Sequence, residues 1–273
     1  MGEHVNYKIN AIYFSATGTT EKIVKSLANE LSDKLKSDVN FIDFTLTKER
    51  REPPFFAESD IVIIGVPVYA GRVPNILLSY LNSIKGNGAL AVAVVVYGNR
   101  DYDDALIELK DILDINNFKV IAASAFIGEH SFSKTLADGR PDNNDMTVVD
   151  DFAKQIYKKL LTYDNKSVEV AGKRPYRSYF KPHDKQGNPV DIRRVTPKTN
   201  YNCIDCKICA SVCPMGSIDY NEVSRINGIC IKCGSCIKKC PVNAKYYDDE
   251  NYLRHKYELE NGCIKRREPE LFL

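Results

Sequence analysis

Eight of the nine cysteines fall between positions 203 and 240, and none precedes 203. They form two stretches, CIDCKICASVCP at 203–214 and CIKCGSCIKKCP at 230–241, repeated at an interval of 27 residues. Each follows C-x2-C-x2-C-x3-C-P, a spacing in which three thiols on a tightly turning backbone converge on one iron–sulfur cubane. The fourth cysteine cannot easily reach the same cubane, and the proline after it turns the chain away. In a two-cluster arrangement that cysteine serves the other cluster. The spacing therefore assigns Cys203, Cys206, Cys209 and Cys240 to cluster 1, and Cys230, Cys233, Cys236 and Cys213 to cluster 2. Cross-ligation of this kind staples two halves too small to hold together by a core of their own. A pair of zinc sites, each with an all-cysteine ligand set, is the competing reading. Tetrahedral zinc takes two C-x2-C pairs per ion, whereas each stretch here has a third evenly spaced cysteine and a Cys-Pro. Cys263 lies outside the pattern and reads as a free thiol.

A second set of chemically suggestive residues sits near the N-terminus. Ser15-Ala16-Thr17-Gly18-Thr19-Thr20 follows a short apolar run and precedes a helical pattern. A loop entering a helix presents unpaired N–H groups and the positive end of the helix dipole, which suits a phosphate. Gly18 permits close backbone approach, and the hydroxyls add donors. The loop has neither a P-loop lysine nor G-x-G-x-x-G, so it is poorly suited to triphosphates or dinucleotides.

The elements that position these residues alternate. Apolar strands are expected at Tyr7–Phe14, Val39–Phe44, Ile61–Val66, Ala89–Tyr97 and Val120–Ile127. Helices are expected around Ile23–Leu31, Ile76–Ile84, Asp103–Asn117 and Asp145–Tyr163. Near-continuous apolar strands separated by helices argue for a parallel sheet covered on both faces. The expected fold class is thus α/β, a doubly wound five-stranded sheet of order 2-1-3-4-5, followed by a small α+β cysteine module. Ligands of such sheets lie at the carboxyl ends of the central strands. The loops there are Pro67-Val68-Tyr69-Ala70-Gly71-Arg72 and Gly98-Asn99-Arg100-Asp101-Tyr102; Gly128-Glu129-His130-Ser131 borders the same region, with no role given to His130.

Residues 199–246 resemble the two-cluster 4Fe–4S ferredoxins, which implies one-electron transfer at low potential. SATGTT resembles the phosphate loop of flavodoxins, and residues 1–164 as a whole resemble a flavodoxin-like FMN-binding domain. The full chain looks like the flavodoxin–ferredoxin fusion family of anaerobic bacteria. That resemblance implies two 4Fe–4S clusters and FMN, with Ser15–Thr20 anchoring the phosphate. It also implies Tyr69 and Tyr102 as candidates to stack on the flavin ring, and Gly71 and Gly98 as points of backbone approach to its edge. Pro67, Val68, Ala70, Asn99 and Arg100 complete the expected ring-binding loops.

Function follows as an expectation. Clusters pass single electrons and a flavin holds one or two, so one chain bearing both couples one-electron and two-electron partners. An electron carrier serving redox partner proteins is the leading reading. The alternatives are a flavin-dependent reductase of a small-molecule acceptor, contacted by Arg72, Arg100 or His130, and a flavin-free docking module.

Charge is uneven behind a formal net +2. Residues 1–164 carry 18 basic against 23 acidic side chains, and the connector 165–198 carries nine against three. The connector, rich in Pro, Gly and basic residues, is expected to lie against the acidic first domain and hold the cysteine module near the ring-binding loops. Its interleaved aromatics, Tyr176, Tyr179 and Phe180, can mark nucleic-acid binding, but no nucleic-acid fold accompanies them and no such partner is expected. Residues 247–273 should form a helix near Asp248–Lys256 and an apolar tail that helps bridge the modules. No run approaches 18 apolar residues and MGEHVNYKIN lacks a signal pattern, so no membrane span and a cytoplasmic location are expected.

Overall fold

The computed structural model describes residues 7–162 and 166–273. The expected boundary at 164/165, and Tyr163 as the last helical residue, lie outside the described residues.

Five parallel strands form the N-terminal sheet: β1 (Lys8–Tyr13), β2 (Val39–Asp43), β3 (Asp60–Pro67), β4 (Leu90–Tyr97) and β5 (Lys119–Ile127). They lie in the order 2-1-3-4-5. Helices α1 (Thr19–Leu35) and α4 (Asn143–Leu161) cover one face, while α2 (Leu78–Ser83) and α3 (Ala105–Ile115) cover the other. Alternate strand residues divide between two cores. Ile61 and Ile63 meet Ile23, Leu27 and Phe152, whereas Val62 and Ile64 meet Leu77, Leu81 and Leu109. Burial on both faces explains why β3, β4 and β5 are apolar throughout rather than alternating.

The sheet differs from expectation by one strand. After β6 (Lys198–Thr199), α5 (Ile208–Ser211), α6 (Ser235–Lys238), β7 (Lys245–Tyr246) and α7 (Glu250–Gly262), the chain returns as β8 (Glu270–Phe272). This strand pairs antiparallel with β5, Ser124 facing Leu271, and makes the sheet six-stranded. Three residues carry too little periodicity to announce a strand. Leu271 and Phe272 nevertheless join opposite cores, as a strand's alternation requires.

The connector packs along α3 as its charge predicts. Arg174 and Tyr176 bind the carboxylate of Asp111, the latter at 2.5 Å, and the Arg177 amide donates to Asp104 at 2.7 Å. The Tyr179 hydroxyl donates to the Val73 carbonyl at 2.8 Å. Arg72 forms a bidentate pair with Glu108 at 2.8 and 2.6 Å and stacks beneath the Tyr176 and Tyr179 rings.

The cysteine module shows its internal repeat in the backbone. Left-handed residues recur 27 apart at Asp205 and Lys232, Lys207 and Gly234, and Gly216 and Asn243. These reversals wind the chain tightly enough for neighbouring thiols to face inward together. The module sits against the first domain. Thr47 and Arg50 each donate to the Pro214 carbonyl at 2.9 Å, and Lys238 pairs with Glu129 at 2.8 Å.

Candidate functional site

The eight cysteines separate into two quartets. Cys203, Cys206, Cys209 and Cys240 line one cavity, and Cys213, Cys230, Cys233 and Cys236 line another. All nine cysteines are free thiols, and the four in each set surround a shared space. Among the described residues no group of three or more His, Cys, Asp or Glu is arranged to hold a single metal ion. The donor set and its spacing fit an iron–sulfur cluster in each cavity.

Backbone amides support the sulfurs in the same repeat. The Ser217 amide donates to Cys213 Sγ at 3.4 Å and the Ala244 amide to Cys240 Sγ at 3.1 Å. Burial raises the Cys240 thiol, but the amides of Ala244, Val242 and Lys245 outweigh it and hold the thiol below its ordinary value. Burial pushes Cys233 up to about 12 and raises Cys236 as well. As free groups these two stay protonated at neutral pH, and ligation of a cluster would be what makes them thiolates. Lys245, 3% exposed, lines the first cavity with Nζ donating to Thr199 at 2.7 Å and to the Val223 carbonyl. This buried cation opposes the thiolate charge, and nothing in the cysteine spacing announces it. Cys206 is exposed at the outer cavity, whereas Cys233 and Cys236 are buried.

A separate cleft opens at the carboxyl ends of β1, β3, β4 and β5. Its walls include Ala16, Thr17, Thr19 and Thr20, then Pro67, Val68 and Tyr69, then Tyr97 and Gly98. Gly128–Ser131 and Cys233 close it. Gly18 sits at the start of α1 in left-handed conformation (φ 95°), and no side chain caps the helix. Of the first-turn N–H groups, that of Glu21 is taken by the Ser15 hydroxyl, while those of Thr19 and Thr20 have no side-chain partner among the described residues and face the loop, as an anion site requires.

Several of the expected cofactor-binding residues lie elsewhere. Ser15 is buried behind the loop, accepting from the Glu21 amide at 3.0 Å while its own amide donates to Thr45. Ala70 and Gly71 make the left-handed turn joining Tyr69 to Arg72, and the bare Gly71 α-carbon accommodates Asp103 rather than a ligand. Arg100 is paired with Asp103 and lies over Phe180. Tyr102 is 4% exposed, packs on Tyr97 and donates to Glu270 of β8 at 2.6 Å. Asn99 is also turned inward, holding the C-terminal tail. Both depend on a partner far along the chain, which loop spacing cannot reveal. Gly98 remains on the cleft, but its missing side chain makes room for His130, whose Cδ2 would stand 2.5 Å from a Cβ there.

Tyr69 stays in the cleft, half-buried beside the second cysteine cavity; burial, then the neighbouring Cys233 and Cys230, raise its phenol well above the ordinary value. Sequence reasoning missed Tyr97 and Cys233 as cleft residues and gave His130 no role beyond a candidate substrate contact. The adjacency of Cys233 to the cleft arises from docking of the two modules. Gly234 meets the Ser131 carbonyl so closely that a side chain there would collide with it.

Two family models match separate parts of the chain. Residues 11–113 match the model of a flavodoxin domain, and residues 202–244 that of a 4Fe-4S dicluster domain. Similar solved structures include a flavodoxin from the domain Archaea, 16% identical over 57% of this chain and 99% of that one, with a TM-score of 0.40. Oxidised Flavodoxin 2 from Bacillus cereus is 16% identical over 56% and 99%, TM-score 0.41. Fusobacterium nucleatum flavodoxin bound to flavin mononucleotide is 18% identical over 56% and 98%, TM-score 0.38. No curated protein matches the chain. Among the described residues no helix is long and apolar enough to cross a membrane. A flavodoxin domain followed by a 4Fe–4S dicluster domain gives the chain a flavodoxin–ferredoxin fusion architecture, built for electron transfer involving flavin and iron–sulfur centres.

Proposed function

We propose that the chain transfers electrons between two 4Fe–4S clusters and one FMN, with cluster 2 adjoining the flavin. The observation that carries this reading is Cys233, which lines both the second cysteine cavity and the cleft. When bound, the clusters supply one-electron and the flavin one- or two-electron chemistry. The chain's own residues set their order. Cys203, Cys206, Cys209 and Cys240 would hold the outer cluster, reached from solvent at Cys206. Cys213, Cys230, Cys233 and Cys236 would hold the inner one. Thr17, Thr19 and Thr20, with the first amides of α1, would anchor the FMN phosphate; Tyr69 would stand at the ring beside Cys233. A redox partner protein at the outer cluster and a two-electron acceptor at the flavin complete the carrier.

The reductase reading loses two of its three candidate substrate contacts. Arg72 is committed to Glu108 and the connector tyrosines, and Arg100 to Asp103. Anaerobic purification followed by iron, zinc and flavin analysis tests the proposal. About eight iron and one FMN per chain are expected. Absent flavin would leave a docking module, and zinc in place of iron would overturn the cluster assignment. Turnover of small acceptors by the reduced protein at a rate beyond simple flavin reoxidation would favour the reductase.

A further inference from the structure

The loop after β5 runs the length of the cleft. At one end Gly128 packs on Thr19 at the start of α1, where a Cβ would stand 2.8 Å from the Thr19 hydroxyl oxygen. At the other end the Ser131 carbonyl meets Gly234, next to Cys233. His130 lies between them, on the bare α-carbon of Gly98 at the end of β4, and lines the cleft. It stands at the ring end of the site rather than the phosphate end.

The imidazole is held in one orientation and one tautomer. Its Nδ1 accepts from the Phe132 amide at 3.1 Å, so the proton of the neutral ring resides on Nε2. Phe132 packs edge-on against it with centroids 5.4 Å apart and is itself backed by Tyr252 at 4.7 Å. Among the described residues no acceptor pairs with the Nε2–H. Burial, then the positive surroundings of His255, Lys238 and Arg100, outweigh Glu260 and pull the ring's pKa from 6.5 to about 4. The ring therefore offers one fixed donor and no charge at neutral pH.

We infer that His130 is a positioning residue whose Nε2–H donates a hydrogen bond to N1 or a carbonyl oxygen of the flavin ring. This rests on the cleft holding FMN, as proposed above. N1 and the carbonyl oxygens of a flavin gain electron density on reduction, whereas N5 gains a proton and ceases to accept, so a fixed donor at N1 or a carbonyl binds the reduced ring more tightly than the oxidised one. A donor aimed at the phosphate would strengthen both states alike.

The test uses full-length protein loaded anaerobically with iron, sulfide and FMN. His130→Leu removes the donor, whereas His130→Gln places an amide N–H near the position of Nε2. FMN affinity in the oxidised state and the flavin midpoint potential are measured for each. His130→Leu should lower the reduced-over-oxidised affinity ratio about tenfold, a midpoint about 30 mV more negative for a two-electron couple. His130→Gln should recover most of that shift. Equal shifts in both variants would make His130 a packing residue and overturn the inference, as would an unchanged potential in His130→Leu. Weaker FMN binding at unchanged potential would reassign the donor to the phosphate. Should His130→Leu not fold, His130→Met supplies the donor-free chain. Wild-type protein that takes up no FMN would sink the proposed function itself, an outcome separate from any change of potential among FMN-loaded variants.

Discussion

Asn99 offers the sharpest perturbation of the architecture, because one side chain makes three hydrogen bonds to residues 263–267, beside the Arg267–Asp101 pair and the Tyr102–Glu270 bond that join the same loop and tail. It is 4% exposed; its Nδ2 donates to the carbonyls of Cys263 at 2.7 Å and Lys265 at 3.0 Å, and its Oδ1 accepts from the Arg267 amide at 3.1 Å. Its backbone is left-handed at φ 63°, a conformation asparagine tolerates better than alanine. Asn99→Ala removes three hydrogen bonds worth about 1 kcal/mol each and adds about 1 kcal/mol of backbone strain. The loss of about 4 kcal/mol raises the fraction of tail detached from the loop by roughly a thousandfold, at a factor of about ten per 1.4 kcal/mol. Limited trypsin digestion reads this directly, since the freed segment carries Lys265, Arg266 and Arg267. At low protease, cleavage follows the population of the open form. Cleavage at 265–267 should accelerate by about two to three orders of magnitude, and Asn99→Gly, which relieves the strain, should be cleaved more slowly than Asn99→Ala. Cleavage of Asn99→Ala within a few-fold of wild type would refute the assignment of Asn99 as the tail's anchor.

Two further outcomes are expected. Gly234→Ala combines a left-handed φ of 74° with a collision against the Ser131 carbonyl, so it should push the cysteine module off the cleft. Anaerobic stopped-flow should show flavin reduction through the clusters slowed at least about tenfold with iron content retained; an unchanged rate would show that this contact does not set the spacing. The His130 pKa of about 4 lies below the unfolded value of 6.5, so between those values the unfolded chain binds a proton that the folded chain refuses. Stability is full above pH 6.5 and falls as pH drops, by up to about 2 kcal/mol at pH 5, reaching its full loss below pH 4. Denaturant titrations of wild type and His130→Gln at pH 7 and 5 should differ by that increment; parallel losses would rule out the depressed pKa.

What the sequence made legible follows the range of the interactions involved. The cysteine quartets were readable because their geometry is local: the left-handed turns at Asp205, Lys207, Lys232 and Gly234 act within three residues of a thiol. The parallel sheet covered on both faces followed from apolar runs, since strands buried on both sides need no polar alternation. The turn entering α1 was legible for the same reason as the quartets, since a turn and a helix start are adjacent in the chain. Tyr102 and Asn99 misled because their partners, Glu270 and the 263–267 segment, arrive from the far end of the chain. Gly71 and Gly98 were expected to admit the edge of the flavin ring, but the groups that approach them are Asp103 and His130. Charge asymmetry did predict the connector's course, since the acidic groups on α3 and its N-terminal approach, Asp103, Asp104 and Asp111, meet Arg174 and Arg177.

The cysteine module is tied to the first domain on both sides. The connector is pinned along α3 before it, and β8 is paired with β5 after it. A module fastened at two ends has no encounter complex to form and none to dissolve. On the proposed function, hand-over between the inner cavity and the cleft would be a first-order event, indifferent to dilution and little affected by ionic strength. Choice among external partners would then pass to the outer surface around the exposed Cys206, where association would still be bimolecular.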